Sequence, residues 1–231
     1  MLTLAPEGFE ERERGDELEL AAYTDAIGGS RIARAFGVTE EEDVPEDWAD
    51  RWRRFHRPAR IGPLWVGPSW EAAPADSIAI VIDPGLAFGT GAHPTTRMCL
   101  LFLLRFVGVG VVDLGCGSGI IAVAAAKLGL APVVALDDDP FAIETTRANA
   151  AANAVVVDAR VSDVLSDELP AAELAVANIS LAAAEAIARR GPAASLVTSG
   201  YLHGERPALE GWVLEDDATA DGWAAHLWRR A

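Results

Sequence analysis

Three glycines and two aspartates form the part of the sequence best suited to hold a ligand. Residues 111–119 read VVDLGCGSG, so Asp113 stands just before a run with glycine at every second position. Such a loop can turn sharply and let a ligand lie against its backbone, because glycine has no Cβ atom. A second apolar run ends at Asp137, about twenty residues past the loop, where a carboxylate can accept hydrogen bonds from both hydroxyls of a ribose. The pattern predicts a site for a nucleotide-like cofactor.

Two other interpretations stay open from these residues alone. One is a strand–turn–helix corner that binds nothing, and the other is the cofactor site of a nicotinamide-dependent oxidoreductase. The second carboxylate at Asp137 counts against the first, since a purely structural corner does not need it. The G-x-G-x-G spacing counts against the second, because dinucleotide sites carry G-x-G-x-x-G.

The elements around the glycine loop alternate between strand and helix. Such alternation predicts a mostly parallel sheet in an α/β fold. Two closing strands at 212–215 and 223–228 predict an antiparallel pair at one edge of that sheet. The other predicted strands are 111–113, 133–136, 155–161, 174–177 and 196–199, and the predicted helices are 120–128, 140–153, 181–190 and a short one near 207–209.

The first 78 residues have a different pattern. Strands at 8–13 and 17–23 with a turn at 14–16 predict a hairpin, and a helix is expected at 24–35. We expect three parts: a reduced α+β module over 1–44, a linker helix and strand over 45–78, and the cofactor domain over 79–231. Within the linker, 47–56 has helical spacing and 61–70 alternates as a strand, and the cofactor domain starts with a short strand at 79–82.

The stretch 83–96 reads DPGLAFGTGAHPTT and contains three glycines and two prolines. This composition excludes a helix, and its apolar members Leu86 and Phe88 favour an ordered lid over the cofactor pocket. Pro94 suits the first turn of a helix, with His93 or Thr95 near the cap. The helix itself is expected over 96–106.

Charge and cysteine content limit the classes of partner. The 231 residues carry a formal net charge of −16, which favours a basic substrate over a nucleic acid, unless the acidity serves solubility alone. Cys99 and Cys116 are not spaced as C-x-x-C, so we expect neither a zinc site nor a disulfide. No stretch is long and apolar enough to span a membrane and no signal-peptide pattern is present, so the sequence predicts a cytoplasmic protein.

Four motifs together resemble the ribosomal protein L-eleven methyltransferase family (PrmA). They are 83–96, VVDLGCGSG, LDDDP at 136–140 and VANIS at 176–180. The resemblance implies a class I methyltransferase (Rossmann-like) fold and S-adenosylmethionine as cofactor. It implies transfer of methyl groups to lysine side chains, and to the α-amine, of a basic ribosomal protein. We further expect a monomer without nucleic-acid or membrane contact.

The resemblance also implies roles for single residues. Thr96, Gly115 and Gly117 would lie against the cofactor, and Asp137 would bind its ribose hydroxyls. Asp163 would accept a hydrogen bond from the adenine amino group. A sixth residue, Asn178, would orient the amine beside the reactive sulfonium.

The sequence departs from the family pattern in two places. Members usually carry a full N-terminal substrate-recognition domain, which is reduced here, and the asparagine motif usually reads N-I-L where this chain has Asn178-Ile179-Ser180. The first departure leaves another protein, or a small amine, open as the acceptor.

Overall fold

The computed structural model describes residues 9–14, 17–22, 26–36, 58–83, 91 and 93–231. The chain divides into two compact units, Met1–Arg54 and Phe55–Ala231. The linker helix predicted over 47–56 lies outside the described residues, as do Leu86, Phe88 and most of the predicted lid.

The first unit contains the predicted hairpin and helix. Strands β1 (Phe9–Arg14) and β2 (Glu17–Ala22) pair antiparallel, with Arg14 opposite Glu17. Helix α1 (Ala26–Phe36) follows. These elements confirm the local pattern read from the sequence.

The second unit begins with a three-stranded sheet. Strand β3 (Ala59–Ile61) pairs antiparallel with β4 (Leu64–Gly67), which pairs parallel with β5 (Ile78–Val81). The single strand predicted over 61–70 is therefore wrong. The chain reverses at Gly62, which has a φ of 56° that other residues rarely adopt, and Pro63 follows it.

The main sheet has seven strands in the order β11-β12-β10-β9-β6-β7-β8. All run parallel except β12, which pairs antiparallel with both of its neighbours, β10 and β11. The predicted antiparallel pair at the edge is the hairpin β11–β12, and its antiparallel member lies one place inside the edge. The strands are β6 (Val111–Leu114), β7 (Val133–Asp137), β8 (Asp158–Val161), β9 (Leu174–Asn178), β10 (Ser195–Leu202), β11 (Trp212–Ala220) and β12 (Trp223–Arg230).

Four helices connect the strands in the described part of this unit. They are α2 (Pro94–Leu103), α3 (Ile120–Lys127), α4 (Pro140–Ala152) and α5 (Leu181–Arg190). Helices α2 and α4 both start with proline at the first turn, as expected for a residue without an N–H to place there. None of the described helices is long and apolar enough to cross a membrane.

Two predicted elements are shorter or missing. The third strand starts at Asp158 rather than 155, because the N–H of Val155 donates to the carbonyl of Ala150 and is used in ending α4. The helix predicted near 207–209 is absent. Three residues are too few to offset the cost of starting a helix, and the N–H of Ala208 donates instead to the Glu185 carboxylate (3.0 Å).

The core lies on both faces of the main sheet. Along β6, Val111 packs into one hydrophobic cluster with α2 and α3, whereas Val112 packs into another with Ile187 of α5. Strands covered on both faces read as continuous apolar runs. In parallel sheets the carboxyl ends of the strands are where ligands bind.

Candidate functional site

The glycine loop leaves the carboxyl end of β6 and enters α3. Gly115 has a φ of 77°, and a Cβ atom there would lie 2.6 Å from a methyl carbon of Ile179. Gly119 caps α3 with a φ of 75°, and a Cβ atom there would lie 2.6 Å from Thr146. Both positions therefore require glycine on grounds of backbone conformation and of space.

Asp137 ties the glycine loop to the end of β7. One carboxylate oxygen accepts the N–H of Gly117 (2.9 Å) and the other accepts the N–H of Asp139 (3.0 Å). The carbonyl of Leu136 also accepts the N–H groups of Gly115 (2.8 Å) and Cys116 (3.0 Å). Each carboxylate oxygen keeps a free lone pair for a further donor. The structure thus brings together the loop and the carboxylate predicted to act with it.

Asn178 and Thr96 meet beside this loop. Asn178 ends β9, and its side-chain amide donates to the hydroxyl of Thr96 (3.4 Å), which is buried on α2. The side-chain carbonyl oxygen of Asn178 is buried and has no hydrogen-bond partner among the described residues. Buried acceptors are rarely left in this state, and one at a sheet edge is a place for an incoming donor.

A second buried oxygen without a partner belongs to Asp113. Its other carboxylate oxygen accepts the N–H of Ala122 (3.1 Å). The pKa of Asp113 is raised to about 7, mainly by burial; the N–H of Ala122 lowers this pKa, and the negative charge of Asp137 adds to the rise. The site therefore holds a carboxyl group that titrates near neutral pH.

Asp163 lies in an exposed turn after β8. Its carboxylate accepts the N–H of Leu165 (2.9 Å) and the hydroxyl of Ser166 (2.8 Å), and these bonds lower its pKa. The turn adjoins Asp137, whose backbone carbonyl accepts the N–H of Ser162 (2.8 Å). Four of the predicted residues thus pair directly: Gly117 with Asp137 and Thr96 with Asn178. Gly115 and Asp163 are joined to them through neighbouring backbone.

Helix α4 supplies two residues that the sequence analysis missed. The hydroxyl of Thr146 donates to the carbonyl of Gly117 (3.1 Å), and the amide of Asn149 donates to the carbonyl of Ser118 (2.8 Å). These two hydrogen bonds attach the glycine loop to α4. The available signal was their spacing of three, which places both polar side chains on one face of the helix.

His93 ends the lid region and caps α2. Its Nδ1 atom lies 2.7 Å from the hydroxyl of Thr95, and its ring meets the Trp223 ring edge-on at 4.8 Å. Burial lowers the pKa of His93. Of the two caps considered from the sequence, His93 is therefore the one used.

Metal-ligating side chains and thiols are the other groups in the described part of the chain that could do chemistry. No group of three or more histidine, cysteine or acidic side chains there could hold a metal ion. Cys99 and Cys116 are both buried and form no disulfide bond, and burial raises the pKa of each thiol. The arrangement instead suits binding and orientation of a ligand by backbone groups, one carboxylate and one amide.

Comparison with known proteins decides the family. The pattern of the family "Ribosomal protein L11 methyltransferase (PrmA)" matches residues 11–229. The chain belongs to this family. This membership favours a methyltransferase over the nicotinamide-dependent oxidoreductase that the glycine loop had left open.

Individual members are similar over most of the chain. A ribosomal protein L11 methyltransferase of Aeromonas hydrophila subsp. hydrophila is 42% identical over 224 residues, which cover 89% of this chain and 73% of that protein. The one of Symbiobacterium thermophilum is 40% identical over 198 residues, covering 79% of this chain but only 65% of that protein. The chain therefore spans between two thirds and three quarters of the length of some relatives, and less of others.

Solved structures agree on the fold. A ribosomal protein L11 methylase from Lactobacillus delbrueckii subsp. bulgaricus superposes with a TM-score of 0.69 at 27% identity, over 76% of this chain and 99% of that one. A putative methyltransferase, yhhF from Escherichia coli, superposes with a TM-score of 0.53 at 16% identity, over 61% of this chain and 88% of that one. The second likeness concerns the fold alone, which is the Rossmann-like class I fold predicted from the sequence.

Proposed function

We propose that this chain transfers methyl groups from S-adenosylmethionine to amino groups of ribosomal protein L11. The observation that carries the proposal is the meeting, at one edge of the sheet, of the glycine loop with Asp137 and of Thr96 with Asn178. The first pair forms a cradle for a nucleoside, and the second presents a neutral acceptor beside it.

The residues at this edge fit S-adenosylmethionine, the methyl donor of the family. Asp137 would accept the ribose hydroxyls, and Gly115 and Gly117 would let the backbone approach the ligand. Thr96 would bind beside Asn178, and Asp163 would accept the adenine amino group. Two buried oxygens without partners, on Asp113 and Asn178, are consistent with donors that arrive with the ligands. When bound, S-adenosylmethionine supplies a methyl group already activated by its sulfonium.

The chemical task of the protein is then to present a neutral amine in line with that methyl group. A lysine side chain has a pKa of about 10.4 in water and is mostly protonated at neutral pH. Partly buried apolar surface at Ile179, beside Asn178, disfavours the charged form and lowers that pKa. The Asn178 carbonyl can accept one amine hydrogen without stabilising an ammonium ion as strongly as a carboxylate would. Water can take the proton that is released.

Charge supports a basic acceptor. The net charge of −16 attracts a positively charged protein at long range and repels nucleic acid. We expect the acceptor to be recognised as a protein, with lysine side chains and the α-amine as targets, and the chain to act as a monomer. We assign recognition to the module over 1–44, the linker role to 45–78 and methyl transfer to 79–231.

The test is a methylation assay read by intact mass. Purified protein is incubated with S-adenosylmethionine and L11, and we expect mass increments of one methyl group each. Peptide mapping then locates them on lysines or on the α-amine. No increment on L11, with S-adenosylhomocysteine still bound tightly, would refute the acceptor and direct the search to another protein or a small amine.

Two variants test the division of labour within the site. Asn178→Ala should keep affinity for S-adenosylhomocysteine within about threefold and lose most turnover, because one buried hydrogen bond to the amine is removed. Asp137→Ala should instead lose cofactor affinity, whereas Asp138→Ala, an exposed carboxylate next to it, should not. Normal turnover in Asn178→Ala would remove that residue from its proposed role.

A further inference from the structure

The last residue of α5, Arg190, is bonded to the turn that follows β8. One terminal nitrogen donates to the carbonyl of Val164 (2.9 Å), and the other donates to the carbonyl of Asp167. Arg190 forms no ion pair with any carboxylate in the described part of the chain. A guanidinium that spans two carbonyls of one turn fixes the orientation of that turn more than a single bond would.

The turn itself is organised around Asp163. Besides the two bonds to the Asp163 carboxylate, the Asp167 carboxylate accepts the N–H of Asp163 (3.0 Å) and the hydroxyl of Ser162 (3.1 Å). All of these bonds join residues within the turn. They set its internal shape, whereas its orientation against the rest of the domain depends on bonds that leave it. Arg190 supplies two such bonds, and the Ser162 N–H supplies another, to Asp137.

Helix α5 runs from the residues next to Asn178 to the arginine that holds the turn. It begins directly after Asn178 and Ile179, with Ser180 as its cap, and it ends at Arg190. Ten helical residues span about 15 Å. A single rigid element therefore joins the residue proposed to orient the amine to the turn that carries Asp163.

We propose that Arg190 is a positioning residue for the adenosine end of the cofactor. By clamping the carbonyls of Val164 and Asp167, it holds Asp163 where that carboxylate can accept the adenine amino group. This inference rests on the proposed function, since it assumes that adenine lies at the 163–167 turn. Arg190 touches neither the methyl group nor the amine, so its effect is on cofactor affinity and not on the chemical step.

The positive charge of Arg190 and its two hydrogen bonds both help Asp163 to act as an acceptor. The Leu165 N–H and the Ser166 hydroxyl lower the pKa of Asp163 most, and the positive charge of Arg190 lowers it further. Asp163 thus stays ionised and able to accept hydrogen bonds. The chain offers a matched control in Arg189, which precedes Arg190 on the same exposed end of α5 and carries the same charge. No hydrogen bond from Arg189 reaches the turn within the described residues.

The first experiment measures the Kd of S-adenosylhomocysteine by calorimetry for the wild type, Arg190→Ala and Arg189→Ala. We expect Arg190→Ala to raise Kd about three- to tenfold, the equivalent of one net hydrogen bond, and Arg189→Ala to leave it unchanged. At saturating S-adenosylmethionine, kcat and the KM for L11 should stay within about twofold of the wild type, because binding alone is affected. Equal Kd values for the two variants, or a lower kcat with an unchanged KM for the cofactor, would overturn the proposal.

Two further variants keep the outcome decisive. Arg190→Lys retains the charge but cannot present the planar fork, so its Kd should fall between those of the wild type and Arg190→Ala; if the alanine variant does not fold, a wild-type Kd in Arg190→Lys overturns the proposal. Asp163→Ala combined with Arg190→Ala should bind no more weakly than Asp163→Ala alone. Fully additive losses would show that Arg190 does not act through the turn.

The wild-type measurement separates this inference from the proposed function. Failure of the wild type to bind S-adenosylhomocysteine would contradict the proposed function itself. Tight binding by the wild type and equally tight binding by Arg190→Ala would contradict only the role of Arg190.

Discussion

The buried carboxyl of Asp113 makes the stability of this fold depend on pH. The residue is 1% exposed, and among the described residues only one of its side-chain oxygens has a hydrogen-bond partner, the N–H of Ala122. Burial raises its pKa to about 7, whereas the pKa of an aspartate in an unfolded chain is about 3.9. Between these two pH values the folded protein binds a proton that the unfolded chain has released.

The sign of the effect follows from this difference. The raised pKa contributes stability in full below about pH 4, and that contribution is lost as the pH rises through 7. The loss is about 1.4 kcal/mol per pH unit, or about 4 kcal/mol over the whole window. Above pH 7 the carboxyl is ionised in both states, and its contribution no longer changes.

Asp113→Asn removes this titration and keeps an oxygen for the Ala122 N–H. It also buries an amide N–H₂ group without a partner, which costs about 1–3 kcal/mol. The variant should therefore be less stable than the wild type at low pH. At pH 8 it should be more stable by about 1–3 kcal/mol, since the charged carboxylate of the wild type costs more than the amide.

The assay is urea unfolding of both proteins between pH 5.5 and 8, without ligand and above the sequence pI of 4.5. In the difference between the unfolding free energies of the two proteins, the contributions of all groups that they share cancel. It should change by about 2 kcal/mol in favour of the variant from pH 5.5 to 7 and then level off. Asp138→Asn, which removes an exposed carboxylate, serves as the control for the loss of one acidic side chain. A constant difference for Asp113→Asn would show that the pKa of Asp113 is ordinary and refute the reasoning.

Three further substitutions separate backbone strain, crowding and a buried hydrogen bond. Gly200→Ala combines a φ of 97° with a Cβ atom that would overlap the carbonyl oxygen of Ile179, so we expect a loss above about 3 kcal/mol in urea unfolding, or failure to fold. Gly222 has a φ of 81°, but a Cβ atom added there would meet no atom within 4 Å apart from its chain neighbours. Gly222→Ala should therefore cost only about 1–2 kcal/mol. Equal costs for the two substitutions would show that crowding at position 200 is unimportant. Asn153→Ala removes both bonds to the backbone of Val81 (2.6 and 2.8 Å) and should cost about 2–4 kcal/mol and speed hydrogen exchange at the Val81 amide; retained protection there would contradict it.

Local chemistry made several elements predictable. Proline at the start of α2 and α4, glycine at the cap of α3 and the apolar run of β6 each act within a few residues, so their effect is visible in the sequence. The Asp221-Gly222 hairpin turn is of the same kind, since both residues have positive φ and fit a two-residue loop. Family motifs added the cofactor and the candidate residues, because they carry the chemistry of the site in a fixed order.

Other elements depended on long-range contacts and were mispredicted. The 61–70 region alternates as one strand would, yet it divides at Gly62 because β4 finds its parallel partner in β5. The 207–209 segment contains helix-compatible residues, but its backbone binds to Glu185 on α5. In each case a partner distant in the chain competes successfully with the local preference.

The sequence by itself determined the class of protein, the nucleotide-like cofactor and the glycine loop, because these follow from residue types at fixed short spacings. Only the tertiary structure decided which of these residues meet. Thr96 and Asn178 are 82 residues apart and come together because β9 lies next to β6 in the sheet and α2 packs against it. The raised pKa of Asp113 likewise depends on its burial. The hydrogen bonds from Arg190 to the 163–167 turn depend on how close two separate elements lie. Burial and hydrogen bonding depend on which residues are neighbours in space. The order of the strands in the sheet determines these neighbours, and no local sequence pattern encodes that order.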